Sequence, residues 1–140
     1  MIYRTLSEIE NGHRDVRAPT FSSRRFLLKD DGMGFSMHDT VLYAGSETYI
    51  WYANHKEAVY CIEGEGELEE VDSGRVHKLR PGTLYALDGH ERHWLRATPY
   101  LRVICVFTPA LTGGEVHDEN GTYPLMDEDS AAKTMAAADR

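Results

Sequence analysis

Ala44–Leu68, AGSETYIWYANHKEAVYCIEGEGEL, decides the class of the fold. Runs rich in β-branched and aromatic residues, Glu47–Tyr52, Ala58–Ile62 and Glu65 onward, follow the turn residues Ala44-Gly45-Ser46, a pattern that predicts short strands. Side chains alternate across a strand, so a barrel-facing Glu57 brings Val59 and Cys61 to the same side. A carboxylate in that apolar row is costly unless a cation or a donor meets it. The block therefore predicts β-structure and a buried acid with a task.

Reading outward, strands are expected at Ser22–Lys29 and Gly34–Tyr43 before the block, with Asp30-Asp31-Gly32 as the turn between them. Beyond it they are expected at Glu65–Val71, Arg75–Leu79, Leu84–Leu87, His93–Ala97 and Leu101–Phe107. Many short antiparallel strands at this spacing predict an all-β sandwich or barrel. The helical signal is confined to the periphery: Thr5 with Glu8 and Ile9 makes a capping box that Asn11-Gly12 would end. Leu101–Phe107 is apolar on both alternating faces apart from Arg102, so its outer face needs a second sheet or a second subunit, and a homodimer is expected. Residues 1–127 are expected to form one domain and 128–140, small and charged, a disordered or frayed tail.

Composition narrows the function classes. With 23 acidic and 15 basic residues in 140, a formal charge of −8 repels nucleic acid and anionic membrane. No stretch approaches the roughly 18 apolar residues of a membrane span, and the first residues lack the apolar region of a signal peptide, so the cytoplasm is the expected compartment. Cys61 and Cys105 lie in apolar runs and read as buried thiols.

The spacing of the central block resembles the first cupin motif, with Gly45, Glu57 and Gly64 on its conserved positions, and Gly74 and Gly82 fit the glycines of the second. Trp51 and Ala53 stand where the first motif has histidines, and Tyr85 stands where the second has one, so a three-histidine metal site is excluded. Tyr85 shares a face with Thr83 and Leu87, and His93 lies across the turn Asp88-Gly89-His90 on the returning strand. Singly, Tyr85 reads as a rim tyrosine and His93 as a turn histidine; together with Glu57 they form a candidate metal trio. Two further acid and imidazole pairs flank it, His55 with Glu57 and Glu115 with His117, each two residues apart on one side of an extended segment. By composition alone Gly113–Glu119 reads as a solvated acidic loop. The H-x-E of His55–Glu57 is not the zinc-deaminase signature, because no P-C-x-x-C follows.

Read end to end, the chain resembles the ectoine synthases, through RRFLLKDDGMGFSMHDTVLYAGSE, HKEAVYCIEGEGELEE, RPGTLYALDGHERH and VFTPALTGGEVHDENGTYPL, over about residues 1 to 125. The resemblance implies a cytoplasmic, dimeric cupin barrel that cyclises N4-acetyl-L-2,4-diaminobutyrate to the osmoprotectant ectoine with loss of water. It implies an Fe(II) site on Glu57, Tyr85 and His93; these donors also suit Zn(II). It implies substrate contacts from Arg25, Thr40, Tyr52, His55, Glu115 and His117, with Phe107 and Pro109 shaping the pocket. Phe21 stands where the family often has tryptophan, keeping an aromatic wall without the indole N–H. Within that reading Arg25 is suited to a bidentate grip on the substrate carboxylate. Glu115 and His117 are the expected proton-transfer pair, with His55 a further acid/base candidate and Tyr52 a hydrogen-bonding group near the carbinolamine oxygen. Two alternatives are another metal-dependent cupin enzyme, such as a small-molecule dioxygenase or an isomerase, and a non-catalytic cupin module that binds a small acid.

Overall fold

Two long strands organise the molecule, whose computed structural model describes residues 1–125. They are β5 (Lys56–Glu70) and β8 (His93–Thr108), joined to β1 (Asp15–Arg17), β2 (Phe21–Leu27), β3 (Ser36–Leu42), β4 (Glu47–Ile50), β6 (Val76–Leu79) and β7 (Leu84–Leu87). All pairings are antiparallel. The first half of β8 lies between β4 and the second half of β5, which also pairs with β6. The second half of β8 lies between β3 and the first half of β5, which also pairs with β7. Each long strand thus belongs to both halves of the β-structure, and β2 and β1 extend one of them beyond β3.

The all-β expectation holds, but two breaks expected in the sequence are absent. Ala58–Ile62 and Glu65–Val71 run together as β5, and His93–Ala97 and Leu101–Phe107 as β8, because register shifts replace turns between Cys61 and Glu63 and between Gly64 and Gly66. Such bulges bend a strand without ending its ladder. Gly64 makes this possible: its φ is +84°, and a Cβ there would overlap the carbonyl oxygen of Tyr100 on β8. The strand β1 was missed, since Asp15–Arg17 is too short to show a period. The capping box forms a short helix α1 (Leu6–Ile9), with the Thr5 N–H donating to the Glu8 carboxylate at 3.0 Å, and a 3₁₀ turn covers Lys29–Asp31. No described helix is long and apolar enough to cross a membrane. The expected tail at 128–140 lies outside the described residues.

Inward-facing side chains of β3, β5 and β8 meet in one core in which Leu42, Val59, Cys61, Leu101, Val103 and Phe107 are buried. Glu57, His38 and His93 are buried within the same interior. On the outer face of β8, Ile104 and Val106 are half-buried, while Arg102 forks onto Asp39 at 3.0 and 2.7 Å and reaches Glu63 at 2.6 Å. The Asp39 carboxylate also receives Arg24 at 2.6 Å, so charge pairing closes one side of an otherwise apolar patch.

Gly64→Ala must strain a left-handed φ and displace β8, and we expect it to cost about 3 kcal/mol or more. The expected drop in the thermal midpoint is on the order of 10 °C. Gly74→Ala, at φ +72° with nothing within 4 Å of the new Cβ, is the control, with an expected loss of about 1 kcal/mol. Equal midpoints for the two variants would contradict the close approach at Gly64.

Candidate active site

The walls β5, β7 and β8 bring the first group of polar side chains inside. Glu57 is buried opposite Leu87 of β7 and Phe107 of β8, and its carboxyl is pushed up to about 8 by burial, partly offset by the Cys105 thiol beside it. Tyr85 sits one strand position away, opposite Val59. Burial and then the Glu57 charge hold its phenol protonated, well above the usual range. His93 begins β8 and is fully buried, with its ring edge-on to Tyr85 at 6.0 Å.

His93 Nδ1 lies 3.0 Å from the Glu91 carbonyl, which can only accept, so Nδ1 carries the proton. Its Nε2 then presents a lone pair and has no partner in the interior. A bare imidazole nitrogen oriented through its other N–H, beside a carboxyl and a phenol that burial penalises as anions, is a donor set that fits a divalent first-row metal. A bound cation would reverse the pressure that now keeps Glu57 and Tyr85 protonated. Among the described residues, no group of three or more His, Cys, Asp or Glu converges as a metal site; the candidate trio falls outside that pattern because one donor is a tyrosine.

Above the trio an aromatic cluster lines a narrow cavity shared by Phe21, Thr40, Tyr52, Glu57, Tyr85, Phe107 and His117. The Tyr52 hydroxyl is 2.8 Å from His117 Nε2. Burial holds Tyr52 protonated, and burial followed by the Arg25 charge brings His117 down to about 4, so Tyr52 donates and a neutral imidazole accepts. Phe21 packs against His117 at 5.2 Å, which keeps the aromatic wall without an indole.

His55, Pro109 and Glu115 line a different cavity of about 360 Å³ at the rim, with Pro109 following a cis peptide bond. His55 is the link between the two spaces, with Phe107 at 6.1 Å and Tyr123 at 6.4 Å. The expectation that Glu115 and His117 share one side of an extended segment needs correction. No strand forms there, and the Glu115 carboxylate turns back to accept the N–H groups of Thr112 at 2.7 Å and Gly113 at 2.8 Å. Arg25 also differs from its expected posture. Its guanidinium is fully buried and donates at 2.6 Å to the carbonyls of both Gly113 and Glu115, a fork closed on the chain's own backbone. Unpaired carbonyls in a buried loop demand donors, and this demand is met before any ligand arrives.

Two interior residues escaped the sequence reading, and Cys105, expected only as a buried thiol, proves to lie beside Glu57. Tyr123 stacks on Tyr52 at 5.0 Å and faces the Arg25 guanidinium at 5.4 Å, but it follows an irregular loop with no period to reveal its direction. His38 was within reach, because it shares its β3 face with Thr40, and Cys105 shares the β8 face of Phe107.

The family model described as ectoine synthase matches residues 1–127. The chain belongs to the ectoine synthase family. An L-ectoine synthase from Desulfatibacillum aliphaticivorans is 56% identical over 130 residues, covering 91% of this chain and all of that one. The solved ectoine synthase from P. lautus superposes with a TM-score of 0.82 at 58% identity, over 90% of this chain and 91% of the other. An RmlC-like cupin from Shewanella frigidimarina matches with a TM-score of 0.59 at 18% identity, over 69% of this chain and 82% of that one, a likeness of fold alone. The cupin-type barrel expected from motif spacing is therefore the fold of this ectoine synthase family member.

Removing the buried fork should open the rim loop. Arg25→Ala leaves the Gly113 and Glu115 carbonyls unsatisfied, at an expected loss on the order of 3 kcal/mol, and Arg25→Lys restores little because an ammonium cannot span both oxygens. Hydrogen exchange across residues 111–123 should rise in both variants. Unchanged protection in that segment would show that the fork does not hold it.

Proposed function

We propose that this barrel cyclises N4-acetyl-L-2,4-diaminobutyrate to ectoine with loss of water, as a carbon–oxygen hydro-lyase with Fe(II) held by Glu57, Tyr85 and His93. The observation that supports it most is the pairing of family membership with an unmatched His93 Nε2 lone pair, its ring 6.0 Å from that of half-buried Tyr85, in the interior that also buries Glu57. When bound, the divalent metal supplies Lewis-acid activation of the acetamide group, an otherwise poor electrophile.

The chain's own residues handle position and protons. The Phe21, Tyr52, Phe107 and Tyr123 rings enclose the interior, exclude water and fold the flexible substrate toward ring closure. Pre-organising an intramolecular attack is worth about 7 to 11 kcal/mol in favourable cases. The substrate enters as an ammonium and leaves as an amidinium, so charge is conserved: two protons leave the attacking nitrogen and two reach the oxygen that departs as water. Tyr52 and His117 suit this traffic, because the protonated hydroxyl donates to a neutral imidazole. His117 takes each nitrogen proton through the Tyr52 hydroxyl and returns it by the same path to the oxygen, leaving the couple as it began. Glu115, engaged with the loop amides, holds the rim in place rather than sharing in proton transfer.

The reading extends to the cell and the assembly. A compatible solute acts inside the cell, so the cytoplasm is the compartment this reading expects. The outer face of β5 and β8, with Tyr60 exposed beside half-buried Ile104 and Val106, gives a homodimer its surface. Light scattering at low micromolar concentration should return twice the chain mass, and a fully active monomer would remove this part of the reading.

Protein reconstituted anaerobically with Fe(II) should convert N4-acetyl-L-2,4-diaminobutyrate to the cyclic product, followed by NMR. Glu57→Ala, Tyr85→Ala and His93→Ala should each deplete bound metal, whereas Tyr52→Phe and His117→Ala should keep metal and lose about 10²- to 10⁴-fold in turnover. Oxygen consumption without cyclic product would favour a dioxygenase, and stoichiometric binding without product a sensing module. Full metal occupancy in all three folded ligand variants would defeat the trio.

A further inference from the structure

Three buried histidines, His38, His55 and His93, each have one ring nitrogen without a partner, and the surroundings of His38 and His93 give those two opposite tautomers. His93 donates through Nδ1 and offers a lone pair at Nε2, as described above. His38, on β3, is 1% exposed, and its Nδ1 lies 3.2 Å from Ser23 Oγ while its Nε2 is the unpartnered atom. Ser23 Oγ is also 3.2 Å from Arg25 Nε.

The direction of these bonds follows from what each group can do. Arg25 Nε can only donate, so the serine oxygen accepts its N–H. The serine oxygen could accept a second bond, but its own hydroxyl proton has no acceptor among the described residues other than His38 Nδ1, so the arrangement that satisfies it has Ser23 donating to Nδ1. The imidazole is neutral, since burial and the Arg25 charge both oppose its protonation, so a bare Nδ1 means that the proton resides on Nε2. A buried N–H without an acceptor is costly, and this one belongs to a ring that lines the cavity with Thr40, Tyr52 and Glu57.

We infer that Ser23 is a positioning residue that fixes His38 as an Nε2–H donor, and that this donor binds an acceptor oxygen of the substrate. The inference rests on the proposed function for the identity of that substrate, and on the Ser23 and Arg25 geometry, with burial keeping the ring neutral, for the tautomer. The barrel then offers one histidine as a lone pair and another as a proton donor, with each polarity set by the far side of its ring. A mirror-image arrangement, with both rings bare at Nε2, would leave an oxygen-rich ligand without a donor at β3.

The test has two arms. In the metal-free full chain labelled with ¹⁵N, long-range ¹H–¹⁵N spectra should show His38 protonated at Nε2 and bare at Nδ1. Ser23→Ala should convert His38 to the Nδ1–H form or to a mixture, and Ser23→Thr should restore the parent pattern. An Nδ1–H ring in the parent, or no change on Ser23→Ala, overturns the Ser23 assignment. In the Fe(II)-loaded enzyme, His38→Leu should raise KM for N4-acetyl-L-2,4-diaminobutyrate about 10- to 100-fold with a smaller change in kcat, and His38→Gln, which keeps an N–H, should recover most of it. Parental KM in a folded His38→Leu enzyme overturns the ligand contact while leaving the proposed function intact. Failure of the parent protein to make ectoine overturns the proposed function and the ligand contact together, and the spectra still decide the role of Ser23.

Discussion

A fully buried guanidinium is the constraint on which the site depends. Arg25 cannot lose its charge, so every one of its donors must find an acceptor within the fold, and the acceptors come from three directions: the Gly113 and Glu115 carbonyls, Ser23 Oγ and the face of Tyr123. Loop, strand and aromatic cluster are therefore drawn to one point. Its field also reaches His38 and His117 and helps keep both neutral. One cation thus shapes the loop that closes the rim and adds to the burial that keeps the imidazoles beneath it neutral.

The interior is divided by chemistry as well as by strands. At the β5, β7 and β8 wall, the His93 Nε2 lone pair lacks a partner; at the Tyr52 and His117 corner, a donor and an acceptor are already matched. These two patches differ in what they demand from a ligand. The first asks for positive charge, and the second can exchange a proton without a net change. Burial enforces both, because solvent would satisfy the lone pairs and blur the proton positions.

Much of this was legible in the sequence, and the parts that were not have physical reasons. Glu57 stood out because period-two alternation placed a carboxylate in an apolar row, and the same alternation aligned Tyr85 with Leu87. Alternation holds only while the chain is extended. It failed for Glu115, where an irregular loop lets the carboxylate turn back to its own backbone amides, and it could say nothing about Tyr123. Arg25 was recognised as important, but its partners lie about ninety residues away, with |i−j| of 88 and 90, beyond any local pattern. The strand breaks expected between Ile62 and Glu65 and between Ala97 and Leu101 failed for another reason: a local departure from regular backbone does not say in sequence whether it is a turn or a bulge.

The continuity of β5 and β8 has a consequence for how the chain reaches its native state. Their ladder begins with Glu70 opposite His93 and ends with Lys56 opposite Thr108, so each further pairing joins residues more distant in sequence. Closing the inner contacts first and zipping outward spreads the entropic loss over many steps, whereas forming the outer pairs first means closing a loop of about fifty residues at once. Because neither half of the β-structure has a long strand of its own, neither can be completed while the other is unpaired. Folding should then be a single concerted event on the millisecond-to-second scale of non-local β-proteins, with no half-barrel surviving as an intermediate.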